Sequence, residues 1–145
     1  GEGEMLKNTP VPAKGIRYHE NLDASAGNVM MFDDENENDK SMIKIPGFED
    51  CTDAMNVWGD SMYPVLKSGE IVILREWKES FIDYGKIYLV VTKNGNRMIK
   101  YLKPSNREGM VKCVSENPEH PAFDMPLDSV YKVYLVKGHI EKCAI

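Results

Sequence analysis

The sequence predicts a mainly β domain, and two observations carry this prediction. Several short segments are rich in β-branched and aromatic residues, and glycine or proline turn signals separate them. No segment of ten or more residues has an apolar stripe with the 3.6-residue period of a helix. We therefore expect helix only as a turn or two near residues 61–66 and near Lys78.

The first half of the chain predicts brief strands or loops. Residues 15–19, 43–45 and 54–58 are short apolar segments, each bounded by turn signals such as Pro-Gly or Gly-Asp. Residues 70–74 read EIVIL and give the strongest strand signal, because β-branched residues fit a pleated, buried surface.

The second half predicts longer strands. Residues 86–102 are expected to form one β-hairpin, since Asn-Gly between two apolar runs favours a type I′ turn. Further strands are expected at residues 110–115 and 129–140. Residues 116–126 hold three prolines and no helical period, which predicts an irregular loop.

Length and composition indicate one soluble domain. The chain has 145 residues, of which 42% are hydrophobic and 28% charged. It has no apolar run of membrane-spanning length and no secretory signal pattern, so a cytoplasmic protein is expected. Residues 1–15 begin with glycine and are interrupted by glycine and proline, as in a linker or a remnant, and residues 16–145 are expected to form the domain.

Charge and cysteine usage argue against several classes of site. The net charge is −5, and the densest charge run, DDENEND at residues 33–39, is acidic, so direct binding of DNA phosphates by this chain is not expected. Cys51, Cys113 and Cys143 are widely spaced, without a Cys-x-x-Cys pair. We expect no metal site, no cofactor and no disulfide framework.

Residues 57–72 are the most informative part of the chain. Ser61 lies between a predicted strand that ends in Gly59-Asp60 and a turn that contains Pro64. Such a bend exposes the hydroxyl and brings backbone N–H groups together, as a nucleophile with an oxyanion hole requires. Gly-Asp-Ser is also an ordinary turn tripeptide, so this pattern alone leaves both interpretations open.

A family resemblance favours the nucleophile over the ordinary turn. GDSMYP at residues 59–64, followed by GEIV at residues 69–72, resembles the nucleophile motif of the LexA family of self-cleaving peptidases. That family includes phage CI-type repressors and UmuD-type mutagenesis proteins, and type I signal peptidases share its fold and dyad. The resemblance implies a LexA/signal-peptidase-like fold of several coiled, strongly bent antiparallel sheets. It also implies Ser61 as nucleophile, with the backbone N–H groups of Ser61 and Met62 as the oxyanion hole.

The same family uses lysine as the base, on a strand that follows a hairpin, and MIKYL at residues 98–102 occupies that place. Lys100 is therefore the implied general base. To be half neutral at pH 7, a lysine needs its pKa lowered from about 10.4 to about 7, which burial can achieve. On a strand, Lys100 shares a face with Met98 and Leu102, although periodicity alone does not exclude Lys103.

The implied substrate lies in the chain itself. Family members cut their own chain, mostly at Ala-Gly, and Ala26-Gly27 is the sole Ala-Gly here, at a similar distance before the serine. Residues 114–121 (VSENPEHP) resemble the family's Ser-x-Asn-Pro loop, and residues 133–140 resemble its closing strand. The resemblance thus covers about residues 24–141.

The resemblance implies the dimerisation and self-cleavage domain of a LexA/CI-like transcriptional repressor. Its expected partners are a second copy and a RecA-type filament that stimulates cleavage in the SOS response. DNA would be bound only through an N-terminal region absent from this chain. Two alternatives stay open: a dimerisation and sensing module that no longer cuts, and a UmuD-like mutagenesis protein. A signal peptidase acting on other proteins is disfavoured, because the sequence has no membrane anchor.

Overall fold

The computed structural model of the chain describes residues 15–20 and 41–142. Its strands are β1 (Ile16–His19), β2 (Ser41–Ile43), β3 (Asp53–Asn56), β4 (Ile71–Glu76), β5 (Ile87–Thr92), β6 (Arg97–Pro104), β7 (Met110–Val114), β8 (Phe123–Pro126) and β9 (Val130–Ile140). They join in one sheet, in the order β2-β1-β3-β4-β9-β5-β6-β7-β8. Neighbouring strands are antiparallel except β1 and β3, which are parallel.

The predicted mainly β class is confirmed. The described strands form a single mixed sheet, whereas several antiparallel sheets were expected. Among the described residues there is no α-helix, and one short 3-10 helix covers Leu127–Ser129. Near residues 61–66 the chain forms turns with one helical-type hydrogen bond, from the Leu66 amide to the Met62 carbonyl (2.8 Å), and near Lys78 it forms bends only.

The prediction of an irregular loop over residues 116–126 was wrong at its end, where β8 begins at Phe123. Proline cannot donate to a strand ladder, so its presence argued against a strand. β8 lies at the edge of the sheet and pairs only with β7 among the described strands, and Pro126 is its last residue. An edge strand tolerates a proline because its outer side needs no partner.

The central strands are buried on both faces of the sheet, which explains their continuous apolar runs. On β5, Leu89 and Val91 join one apolar cluster, while Tyr88 and Val90 join the other. The first cluster consists of Met55, Val57, Met62, Leu66, Val72, Leu74, Leu89, Val91, Ile99 and Tyr134. The second consists of Tyr88, Val90, Leu102, Val111, Cys113, Met125 and Leu135.

The β5–β6 hairpin is confirmed, but its turn is not of type I′. A type I′ turn needs positive φ at both central residues, and no non-glycine residue in the described ranges has positive φ. Within this loop, residues 92–96, only Gly95 has a positive φ (93°). Its amide donates to the Thr92 carbonyl (3.0 Å), and the Thr92 amide donates to the Asn96 carbonyl (2.9 Å). This is the longer hairpin loop, in which a turn is followed by one glycine of positive φ.

The first half of β6 has an open edge that positions the site. Residues 97–101 pair with β5, but β7 pairs only with residues 101–104 of the strand. Within the described strands, residues 97–100 therefore have a neighbour on one side only. After Val114 the chain turns away from β6 as a loop, residues 115–122, and runs towards Ser61.

Candidate active site

Ser61 lies on a tight turn between β3 and β4. Gly59 has a φ of 89°, a backbone conformation that favours glycine, and it lets the chain reverse just before the serine. The Tyr63 amide then donates to the Asp60 carbonyl (3.1 Å), which makes Ser61 and Met62 the two central residues of a β-turn. The Ser61 side chain is partly exposed, as its predicted role requires.

Buried side chains fix this turn to the sheet. Met62 and Leu66 are 2% and 1% exposed and belong to the first apolar cluster, together with Val57. The base of the segment is closed by the Gly69 amide, which donates to the Val57 carbonyl, and by the Val57 amide, which donates to Glu70 (2.8 Å). The turn is thus anchored from below, while its tip faces the cavity.

The loop of residues 115–122 contacts the turn from the other side. The Asn117 amide donates to the Ser61 carbonyl (2.9 Å), and its side-chain Nδ2 donates to the Asp60 carbonyl (3.2 Å). His120 Nε2 lies 2.8 Å from the Asp60 carboxylate. The sequence resemblance identified this loop but did not predict that it holds the serine turn.

The backbone amides of Ser61 and Met62 are the predicted oxyanion hole. Of the hydrogen bonds that the described residues make, none has the Ser61 or Met62 amide as donor. Amides in this state are available to a developing negative charge on a substrate oxygen.

Lys100 lies on the open-edged half of β6, and its side chain is half-buried. It pairs in register with Tyr88 and shares a face with Met98 and Leu102, which pack with the second apolar cluster, as period two predicts. Burial lowers the pKa of Lys100 from its usual value, while the nearby Cys113 acts in the opposite direction. The shift has the sign that a lysine base needs.

Cys113 and Lys103 occupy different environments near this lysine. Burial raises the pKa of the Cys113 thiol to about 11, and Asp124 adds to the rise, whereas Lys100 counteracts it. The buried thiol is therefore protonated at neutral pH. Lys103, which periodicity left open as an alternative base, is exposed, and its ammonium lies 5.8 Å from the centre of the Tyr101 ring.

Ser61 and Lys100 line the same cavity, of about 360 Å³. Its described lining residues are Val57, Trp58, Ser61, Met62, Asn96, Arg97, Met98, Ile99, Lys100 and Phe123. Since four consecutive residues of β6, 97–100, line it, the cavity lies beside the first half of this strand. No hydrogen bond between Ser61 and Lys100 occurs within residues 15–20 and 41–142. Ala26-Gly27, the predicted scissile bond, lies outside the described residues.

Sequence reasoning missed several residues of this cavity. Trp58 and Phe123 are about half exposed (51% and 40%) and form apolar walls, and Arg97 is 2% exposed. A second cavity of about 420 Å³, which extends to Ser129, shares Asn96, Met98 and Phe123 with the first. Nothing in the local sequence marks these residues, because strand pairing and loop packing bring them together.

A comparison with protein families bears on this arrangement. A family model described as Peptidase S24-like matches residues 19–133, which is most of the chain. The chain belongs to the Peptidase S24-like family. This result confirms the resemblance to the peptidase domains of LexA and phage repressors, which rested on the residues around Ser61 and Lys100. Comparison with curated proteins gave no match.

Within the part of the chain that the structure describes, no group of three or more His, Cys, Asp or Glu side chains is arranged to hold a metal ion. No helix in that part is long and apolar enough to cross a membrane.

Proposed function

We propose that this S24 domain cuts its own chain between Ala26 and Gly27, with Ser61 as nucleophile and Lys100 as general base. One observation carries the proposal: a partly exposed serine on a tight turn and a half-buried lysine line one cavity. Burial lowers the pKa of that lysine, which raises the fraction of neutral amine at a given pH.

The proposed reaction needs no group beyond the chain and water. Neutral Lys100 takes the Ser61 hydroxyl proton while the oxygen attacks the Ala26 carbonyl carbon. When the tetrahedral intermediate collapses, the Ala26–Gly27 bond breaks, and the new Gly27 amine receives the proton from Lys100. Lys100 then takes a proton from a water molecule, whose oxygen attacks the Ala26 ester carbon. When the ester bond breaks, Lys100 gives that proton to the Ser61 oxygen, and the Ala26 carboxyl group is released.

Two features of the cavity support this chemistry. The amides of Ser61 and Met62, which donate no hydrogen bond to any described residue, suit the negative oxygen of the tetrahedral intermediate. Beside residues 98–100 no described strand pairs with the second side of β6, and this edge suits an extended segment that adds as a strand. A small Ala-Gly pair allows close approach of the backbone in such a segment.

The wider role that we propose is that of a repressor inactivated by its own cleavage. The family membership supports it, because S24 domains are typical of LexA and CI repressors. In this role the domain dimerises with a second copy, DNA is bound by an N-terminal region outside this chain, and a RecA-type filament stimulates cleavage. The chain's net charge of −5 agrees with DNA binding by another region.

Intact mass spectrometry after incubation at alkaline pH tests the proposal. We expect two fragments, residues 1–26 and 27–145, from the unaltered chain and from Ser80→Ala, which changes an exposed serine away from the cavity. Ser61→Ala should give neither fragment. A break elsewhere, or cleavage of Ser61→Ala at an unchanged rate, would reject the proposed mechanism.

One observation favours a second candidate function, a module that dimerises and senses but does not cut. The described residues make no hydrogen bond between Ser61 and Lys100, the bond through which the base would act. Catalytic hydrogen bonds often tighten only when substrate binds. An uncut chain at every pH, with a folded domain, would identify the non-cleaving module.

A further inference from the structure

We propose that Asn117 is a positioning residue that orients the two backbone amides of the oxyanion hole, and that His120 holds the Asn117 loop in place. This inference rests on the proposed function, because the amides matter only if Ser61 attacks a carbonyl. It concerns residues 56 or more positions beyond the serine, which neither the nucleophile motif nor the lysine motif contains.

The geometry of the peptide unit carries the first step. In a trans peptide, the carbonyl of one residue and the amide N–H of the next point in opposite directions across a rigid plane. Fixing the Asp60 carbonyl therefore fixes the direction of the Ser61 N–H. Fixing the Ser61 carbonyl likewise fixes the direction of the Met62 N–H.

Asn117 contacts both of these carbonyls. Its side-chain Nδ2 donates to the Asp60 oxygen (3.2 Å), and its backbone amide donates to the Ser61 oxygen (2.9 Å). Both bonds pull the carbonyls towards the loop, so the two amides are directed away from it. Asn117 thus contributes to the direction of both proposed oxyanion donors, and at the Asp60 carbonyl it acts together with the Tyr63 amide.

The loop itself is closed around Asn117. Its Oδ1 accepts from the Glu119 amide (3.0 Å), and its carbonyl accepts from the His120 amide (3.1 Å). His120 then reaches back to the Asp60 carboxylate, with 2.8 Å between Nε2 and Oδ1. At the start of the loop, Glu116 lies near Tyr101 on β6, and burial together with this carboxyl group raises the pKa of the tyrosine. These contacts hold Asn117 between the turn and the strand that carries Lys100.

These contacts are suited to positioning more than to stabilising the fold. The His120 and Asp60 side chains are 44% and 69% exposed, and exposed ion pairs add little to stability. By contrast, small displacements of a catalytic group cost much in rate. Substitutions here should therefore change the reactivity of Ser61 more than the melting temperature.

The first test replaces Asn117 by aspartate, which keeps the oxygen that accepts from Glu119 but loses the donor to Asp60. We expect Asn117→Asp to lower the rate of Ala26–Gly27 cleavage about tenfold. Both donors of the oxyanion hole would remain but be misaligned, and misalignment should lower the rate less than the removal of one donor does. Labelling of Ser61 by a fluorophosphonate probe should fall by a similar factor. Asn106→Asp, a change of the same charge at an exposed loop position, is the matched control and should leave both rates unchanged.

The second test uses a rescue pair at His120. His120→Leu removes the contact with Asp60, and His120→Gln keeps a side-chain amide that can donate to it. We expect cleavage and labelling to fall several-fold in His120→Leu and to recover in His120→Gln, while thermal unfolding of both variants stays close to that of the unaltered chain. This pair also covers the case in which Asn117→Asp does not fold.

The outcomes separate this inference from the proposed function. If the unaltered chain cleaves and takes the probe, while folded Asn117→Asp and His120→Leu do so at the same rates, then Asn117 does not position the oxyanion hole. If the unaltered chain neither cleaves nor takes the probe, the proposed function is rejected and this inference with it. If activity and folded protein are lost together, and His120→Gln does not restore them, then the loop has a structural role and does not position the oxyanion hole.

Discussion

The two proposed reacting groups are held in place in different ways. Lys100 is part of a regular strand, where pairing with β5 and the period of two set the direction of its side chain. Ser61 lies on an irregular turn, which depends on Met62 beneath it and on Asn117 in the adjoining loop. The contrast teaches that the base is positioned by local geometry and the nucleophile by contacts between residues far apart in sequence.

Their surroundings differ as well. Lys100 is half-buried beside apolar side chains, and this burial lowers its pKa. The Ser61 turn has polar, exposed neighbours on its outer side, including Asp60 and His120. Substitutions on β6 should therefore alter proton transfer by Lys100, and substitutions around the turn should alter the geometry of Ser61.

The largest expected effect comes from removing the base while keeping its charge. Arginine stays protonated at any pH compatible with the fold, so Lys100→Arg should lower the cleavage rate by about 10³-fold or more. Lys103→Arg is the matched control on the same strand and should cleave normally. Fragment formation followed by mass spectrometry measures both, and near-normal cleavage by Lys100→Arg would assign the base elsewhere.

Next in size is the loss of the buried anchor beneath the serine turn. Met62 is 2% exposed within the first apolar cluster, so Met62→Ala should lower the free energy of unfolding by about 2–5 kcal/mol. Met98→Ala, at a half-buried position on β6, should cost less. Urea unfolding of the two variants measures both losses. Equal losses would contradict the interpretation that the serine turn depends on a single buried anchor more than β6 does.

The pH dependence of cleavage should report Lys100 directly. Below the pKa of the base, the neutral fraction rises about tenfold per pH unit, so the cleavage rate should rise with that slope. Because burial lowers the pKa of Lys100, the plateau should begin below the ordinary value of 10.5. A rate that is independent of pH, or one still rising above pH 10.5, would show that this amine does not limit the reaction.

Lys100 should have a smaller effect on stability, and here the substitution is expected to stabilise the fold. The unfolded chain holds the Lys100 proton more tightly than the folded chain does, so the free energy of unfolding should increase with pH between the folded pKa and 10.5. Lys100→Met removes this cost and should raise the Tm at neutral pH while abolishing cleavage. Calorimetry at pH 7 measures the change, and a lower Tm would show that the lysine stabilises the strand.

The smallest effect is expected at the exposed ion pair of Lys67 and Glu141, whose charged atoms lie 2.8 Å apart. The hydrogen bond and charge of Glu141 raise the pKa of Lys67, but both side chains are about half exposed, and solvent screens the pair. Lys67→Gln should leave the Tm and the cleavage rate unchanged. A measurable loss of cleavage would mean that the end of β9 also positions the serine turn.

Much of the fold was predictable from local patterns. The EIVIL run predicted the strand that became β4, and the two apolar runs around Asn94-Gly95 predicted the hairpin of β5 and β6. β8 was not predicted, because Pro126 argues against a strand unless its place at the edge of the sheet is known. The turn type was also missed, because Asn94 has no positive φ in the folded loop.

The candidate site was likewise predictable only in part. The motifs around Ser61 and Lys100 named two residues that the structure brings to one cavity, and period two correctly gave the face of Lys100. The contacts of Asn117 and His120 with the serine turn span about 60 positions, and the cavity walls bring Trp58 together with Phe123 at the start of β8. No local pattern encodes such contacts.

By itself the sequence determined the β class, most strands, the family and the identity of the proposed reacting groups. These depend on side-chain type and on the short periods of a strand, which are readable along the chain. Only the tertiary structure decided that β7 pairs with the second half of β6 alone and that a loop 56 residues beyond Ser61 donates a hydrogen bond to the Ser61 carbonyl. These features depend on which segments fill the space around each other, and that is settled only when the whole sheet is packed.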